Sequence, residues 1–388
     1  MNIFQQLERQ RQWSEEEQAI LDAVQRLADD VIAPASAAHD RTGAFPDNNI
    51  AHIQALGLNG LFMPEAYGGS PARYKLYLAV VKILSEACAS TGIIYATNFH
   101  AMKPLIDFGS EEQKLRLLPR IADGGLASLA ITEPEAGSDA TAMRTRFRPD
   151  GDCIVVDGGK TFITSGDKSD LLLIFGKWSQ IDDAKGAISA LVLEIGTPGF
   201  STGRAEDKMG LRASSTVALN FDKCRVPCAN LLGQPGDGLK ILFASLNKSR
   251  PSIAAHALGI ATAAFKDMTA YMNQRRQSGR RIAEFQANQF LLADLASELA
   301  MCEAWLDHVA DLIDGGASGV GIEASIAKLR ASDLAMRMTT EAVQMHGGYG
   351  YIRDNRVERL MRDAKITQIW EGTNQVHRQL IGRSFVTK

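Results

Sequence analysis

The sequence predicts a multi-domain α+β protein: an N-terminal all-α part over residues 1–126, a middle β part over 127–235 built as a barrel or sandwich, and a C-terminal four-helix bundle over 236–388. Three observations predict it. Apolar residues recur at helical spacing through about residue 122, short β-branched runs take over near residue 127, and long amphipathic blocks return from Gly236 onward.

In chain order, Ser14 and Glu17 are placed for a capping box ahead of Ile20, Leu21, Val24, Leu27, Ala28, Val31 and Ile32, which share one helix face; Pro34 should end that helix. Gly and Pro turns at Pro64 to Pro71 and at Phe108 to Ser110 separate the helices that follow. Strands are expected at Cys153 to Val156, Leu171 to Phe175, Ile188 to Ile195 and Thr216 to Phe221, between Asp, Gly and Lys turns. The bundle is expected as four blocks, roughly 237–273, 283–314, 323–346 and 356–383. A doubly wound dinucleotide fold would alternate strand and helix throughout, and the glycines of His346-Gly347-Gly348-Tyr349-Gly350 follow a helix instead of closing a strand. Nicotinamide binding through such a unit is therefore disfavoured.

Forty-two basic against 45 acidic residues leave a net charge of -3, which gives no global field for nucleic acid or an anionic membrane surface. No stretch approaches the roughly 18 apolar residues of a membrane span, and the Gln-, Glu- and Arg-rich start excludes a secretory apolar region. The five cysteines are odd in number and scattered, as expected where thiols stay reduced, so the expected location is cytoplasmic. Cys224 and Cys228 lack a second ligand pair, and no metal is expected.

Two loops mix small and hydroxyl residues: A-I-T-E-P-E-A-G-S-D at 130–139 and G-K-T-F-I-T-S at 159–165. Such loops let backbone amides and hydroxyls approach a flat heteroaromatic ring or a phosphate. Either alone is equally readable as a polar turn. Near the end stands Q-I-W-E-G-T-N-Q-V-H-R, with a lone acid, Glu371, between a tryptophan and Gly-Thr.

Taken with L-F-M-P-E-A-Y-G-G (61–69), K-M-G-L-R-A-S-S-T (208–216), Q-M-H-G-G-Y-G (344–350) and E-G-T-N-Q (371–375), these motifs run through nearly the whole chain in order. The set resembles the acyl-CoA dehydrogenase family. The resemblance implies FAD and the removal of hydrogens from the α and β carbons of an acyl thioester, usually on coenzyme A, with hydride passing to flavin N5. It makes Glu371 the base; an anion shielded from water by Trp370 and the acyl tail is the stronger base. Gly372 would leave room for the thioester, whose carbonyl the Glu371 backbone N–H and a flavin hydroxyl would grip. Some relatives carry the base one residue before an arginine, a position held here by Ser249, which cannot serve.

For the cofactor, the resemblance assigns Thr132 and Thr164 to the isoalloxazine ring, Phe162 to packing on it beside Ile163, and Ser138 to the region shared by the phosphates and the pantetheine arm. Arg275, in Q-R-R-Q-S-G, would reach the pyrophosphate of an adjacent subunit, with Ser278 where the family usually has Phe. Gln286, Gln344, Gly347 and Gly348 would bind across the same interface, and Thr373, Asn374 and Gln375 would meet the adenosine half. A site completed in trans implies a homotetramer. On the substrate side, Arg250 and Asn247, the latter in place of the usual acid, would contact the CoA arm; Met63, Tyr95, Phe99, Met102 and Leu105 line the acyl cavity or belong to the core. The implied electron acceptor is an electron-transfer flavoprotein. Three readings keep the fold but change the partner: acyl groups on a carrier protein, an oxygen-using oxidase, or enoyl-CoA reduction. Glu371 argues against a monooxygenase, and the absence of a concentrated basic face argues against nucleic-acid association.

Overall fold

The computed structural model describes residues 3–386; the outermost residues of the first and last expected parts, 1, 2, 387 and 388, lie outside the described residues. Seven helices come first: α1 Ile3–Gln10, α2 Glu15–Leu27, α3 Ala33–Thr42, α4 Asp47–Ala55, α5 Tyr74–Ala87, α6 Ala89–Phe108 and α7 Glu111–Ala122. Eight strands follow: β1 Ala127–Ala130, β2 Arg146–Asp150, β3 Cys153–Thr164, β4 Leu171–Trp178, β5 Ile188–Glu194, β6 Phe200–Thr202, β7 Thr216–Pro227 and β8 Leu231–Leu232. Then come α8 Gly238–Gln274, the hairpin β9 Arg276–Gln277 and β10 Arg280–Arg281, and α9 Gln286–Asp314, α10 Gly321–His346, α11 Val357–Lys365 and α12 Asn374–Arg383.

The Ser14 hydroxyl accepts from Glu17 N–H while the Glu17 carboxylate accepts from Ser14 N–H, so the capping box forms. Pro34 does not end the helix. A single π-helical turn, Ala28–Ile32, carries the chain from α2 into α3, where Pro34 stands in the first turn. The turn is closed by Ala33 N–H donating to the Ala28 carbonyl, and this local widening of the spiral lets the helix run on past a residue that has no N–H to give. The fourth expected block of the bundle is also not one helix. It breaks after Lys365 into a short 3-10 turn, Ile366–Gln368, and a reversal over 369–373 before α12 starts.

The first and last thirds do not keep separate cores. Leu76, Tyr77, Val80, Val81 and Leu84 of α5 share one apolar cluster with Ile253, Ala254, Ala257, Leu258 and Ala261 of α8 and with Leu334, Ala335 and Met338 of α10. Small residues on α8 permit the close approach: a Cβ at Gly259 would lie 2.5 Å from the Lys82 carbonyl oxygen. A second cluster joins α6 and α7 to one face of the sheet, and a third fills the inside of the β part.

The sheet runs β6-β7-β3-β2-β4-β5-β8, with β1 parallel to β4. The β3–β7 ladder loses register between Lys160 and Ile163. At that bulge Phe162 takes a left-handed backbone (φ 59) and stands 65% exposed, while Ile163 turns into the β core. A buried pair fixes the neighbouring loop: Lys160 Nζ donates to Glu133 Oε1 at 2.7 Å and to the Ile131 carbonyl, and Thr145 Oγ donates to the same carboxylate. Thr161 N–H donates to the Thr132 carbonyl at 2.9 Å. The two hydroxyl-bearing loops thus lie side by side.

Candidate functional site

The reversal between α11 and α12 presents Glu371. Two successive left-handed residues, Glu371 (φ 51) and Gly372 (φ 95), turn the chain, and Thr373 caps α12 by accepting from Val376 N–H. A non-glycine residue held left-handed costs about 1–2 kcal/mol, so the surroundings must hold the turn in place. Lys328, fully buried on α10, does so: its Nζ donates to the Gly372 carbonyl at 2.7 Å and to Asn374 Oδ1 at 3.0 Å. Asn374 Nδ2 in turn donates to Asp333 Oδ1 and Ser332 Oγ. At Gly372 a Cβ would come within 3.2 Å of His377 Nε2, so the ring and the chain direction both favour glycine here.

The Glu371 side chain is 15% exposed. Ser249 Oγ donates to Oε2 at 2.7 Å, and His100 Nδ1 faces Oε1 at 3.8 Å. Ser249 and the buried Arg250 come from α8, His100 from α6, and Lys328 from α10. Burial pulls Lys328 down to about 7 although the Glu371 charge favours its ammonium. Burial also lowers Arg250 and His100, again against the pull of Glu371. His377 falls to about 3 through burial, then the charges of Lys328 and Arg250, so its ring is neutral. One carboxylate therefore stands among two cationic side chains and two neutral imidazoles, with one oxygen hydrogen-bonded and the other free of a short donor. Such a group can accept a proton. Trp370 packs on His256 instead, ring centroids 5.6 Å apart.

A second constellation lies at the far end of α8 and α10. Arg275, Gln344, Gly347 and Gly348, with Tyr271, Ile282 and Tyr349, line a cavity of about 480 Å³. The Arg275 guanidinium lies over the Tyr349 ring and makes no ion pair among the described residues; a Cβ at Gly347 or Gly348 would enter open space. A free guanidinium beside approachable backbone amides fits a diphosphate. Phe162 and Ser138 are exposed, and Thr132 and Thr164 half-buried, on the β part, so these residues too are open to an aromatic cofactor.

Other expected residues sit differently. Ile163 is buried, leaving only its backbone for a ligand, and both polar ends of the Asn374 amide are used inside the chain, whereas Gln375 is exposed. Gln286 is exposed at the start of α9, outside that cavity's lining. Asn247 lies against Gly321, and Ser278 and Gly279 occupy the two left-handed positions of the β9–β10 hairpin, where a bulky aromatic is not required for the turn. Met63, Met102 and Leu105 belong to the cluster against the sheet, Tyr95 and Phe99 to the aromatic group around Tyr77. Sequence reasoning missed Lys328 and His100. The signal for the first was a lysine placed on the apolar stripe Ala324, Ala327, Ala331 and Ala335.

Comparison with known proteins gives the family of the whole chain. Residues 14–125, 128–224 and 236–386 match the family models described as the N-terminal, middle and C-terminal domains of acyl-CoA dehydrogenase. An acyl-CoA dehydrogenase of Bacillus subtilis (strain 168) is 42% identical over 354 residues, 91% of this chain and 93% of the relative. The butyryl-CoA dehydrogenase structure from Megasphaera elsdenii superposes with a TM-score of 0.93 at 36% identity, over 97% of this chain and 99% of the other. A chain from the structure described as the electron transferring flavoprotein of Acidaminococcus fermentans superposes at 0.94 with 39% identity, covering 97% and 99%. The chain belongs to the acyl-CoA dehydrogenase family and is an FAD-dependent oxidoreductase.

Proposed function

We propose that Glu371 is the base that removes the α proton of an acyl-CoA thioester, giving the trans-2-enoyl thioester. The observation that carries this reading is a carboxylate presented by a left-handed turn, oriented by Ser249 at 2.7 Å through one oxygen and free of a short donor at the other. FAD, when bound, supplies the two-electron acceptor for the β hydrogen. Ser249 contributes a neutral hydroxyl that holds the carboxylate without taking its place. Arg250 and Lys328 lower the cost of keeping a carboxylate in a dry site, and Arg250 with Asn247 meets the CoA arm. The Glu371 N–H is the polarising donor for the thioester carbonyl, and Gly372 leaves the space beside it.

The residues that hold FAD on this reading are Thr132, Ser138, Phe162, Thr164 and the Ile163 backbone on the β part. Arg275, Gln286, Gln344, Gly347, Gly348, Thr373 and Gln375, with the Asn374 backbone, serve the pyrophosphate and adenosine of a neighbouring subunit, which makes the assembly a homotetramer. Dehydrogenation, over carrier-bound, oxygen-using or reductive chemistry, is supported by the names of the Bacillus subtilis, Mycobacterium leprae and Megasphaera elsdenii relatives. An electron-transfer flavoprotein as acceptor is supported by the Acidaminococcus likeness. A cytoplasmic location is supported by five free cysteines; among the described residues no helix is long and apolar enough to cross a membrane.

The test is Glu371→Gln, mixed anaerobically with a panel of acyl-CoA thioesters while flavin absorbance is followed. The variant keeps its yellow FAD and bleaches about 10³-fold more slowly. Bleaching at the normal rate would mean that another base is at work.

A further inference from the structure

A base that takes up a proton must also hold it, and His100, bonded from behind by Ser252, faces Glu371 Oε1. Ser252 Oγ donates to the Ser249 carbonyl at 2.7 Å. With its one proton on that carbonyl, the hydroxyl accepts from the imidazole nitrogen 2.5 Å away, an arrangement that assigns the His100 proton to Nε2. Nδ1 is then a bare lone pair facing Glu371 Oε1 at 3.8 Å. Between a carboxylate and a lone pair no hydrogen is shared. Once Oε1 is protonated, the acid has a donor, and closing the 3.8 Å gap by about 1 Å makes Nδ1 its acceptor. The ring is buried, and burial keeps it neutral against the neighbouring carboxylate. The other ring nearby, His256, is pulled down to about 3 by burial and by His100, so it brings no competing charge.

We propose that His100 is a positioning residue for proton abstraction, its Nδ1 accepting a hydrogen bond from Glu371 Oε1–H and so stabilising the base in its protonated form. The Cα–H bond breaks and the Oε1–H bond forms; the electron pair stays with the substrate carbon, and the proton stays on Glu371, shared with His100 but not passed to it. The inference rests on the reading of Glu371 as the base. It goes beyond that reading because the bond exists only after the proton has moved, so it lowers the barrier without tightening substrate binding.

Two measurements on the FAD-loaded enzyme decide it. Nitrogen NMR of ring-labelled histidine, with His100 assigned by its loss in a variant, is expected to show a neutral Nε2–H ring between about pH 6 and pH 9. A protonated Nδ1, as the other tautomer or as imidazolium, overturns the proposal. In anaerobic mixing, His100→Leu is expected to bleach flavin about tenfold more slowly with KM within about twofold, the loss of one hydrogen bond made only after proton transfer. His100→Asn, whose carbonyl oxygen replaces the Nδ1 acceptor, is expected to recover to within about threefold of the parent. Equal losses in both variants at matched FAD content, or no loss in His100→Leu, overturn it. If leucine is not accommodated, the tautomer and the asparagine variant carry the decision. Normal bleaching by Glu371→Gln removes the base reading itself, and is told apart because the His100 tautomer is unaffected by it.

Discussion

At the scale of single residues, the site is decided by who neutralises whom in a dry environment. Lys328 illustrates this: its ammonium holds the Gly372 carbonyl and the Asn374 amide, yet burial brings its titration down to about 7. An unfolded lysine keeps its proton to about pH 10.4, so between about pH 7 and pH 10 unfolding takes up a proton and this group's contribution to stability rises with pH. Lys328→Met deletes that dependence. The thermal midpoint of the parent is therefore expected to gain on the variant as pH climbs from about 7 to 9, by calorimetry with FAD bound; a constant gap would show that Lys328 does not titrate there. Glu371 itself was legible in the sequence, because Glu-Gly-Thr after a tryptophan is a local pattern. Its partners were not: Ser249 lies 122 residues away in the chain, and nothing local marks which serine meets which acid.

At the scale of elements, periodicity located the helices and strands, and two breaks escaped it. Pro34 reads as a stop, but a π-turn just before it widens the spiral and the helix runs on through it. The last block keeps an apolar stripe across 356–383, so the stripe hides the left-handed turn that presents Glu371. Both breaks are paid for by contacts from other elements, which a single stripe does not encode. Close helix contacts are equally specific. Gly259→Ala places a methyl 2.5 Å from the Lys82 carbonyl, which forces α5 and α8 apart; a loss of about 1–3 kcal/mol is expected in denaturant unfolding. An unchanged midpoint would mean that these helices pack less tightly than the structure has them.

At the scale of the whole molecule, the helical segments before and after the β part share one core, and Asp363 joins the β part to it. Its carboxylate, pushed up to about 6 by burial, accepts from Leu211 N–H at 2.6 Å, while Arg362 beside it binds Asp40 and Glu358. The cavity around Arg275 and Gly347 is a half-site on the proposed reading, so FAD content should follow assembly. Light scattering with flavin absorbance is expected to show full FAD only in the tetramer. A fully flavinated monomer would contradict completion of the site by a neighbour.

The sequence by itself determined the order of helical and β parts, the family, the carboxylate and the hydroxyl-bearing loops, since each is written in patterns a few residues to one helix long. Only the tertiary structure decided that Lys328 pins the turn carrying Glu371, that His100 faces Glu371, that the Asn374 side chain is committed inward, and that the two helical thirds share a core. The physical reason is that hydrogen bonds and packing act across space, and the pairings they select among distant residues leave no periodic mark along the chain.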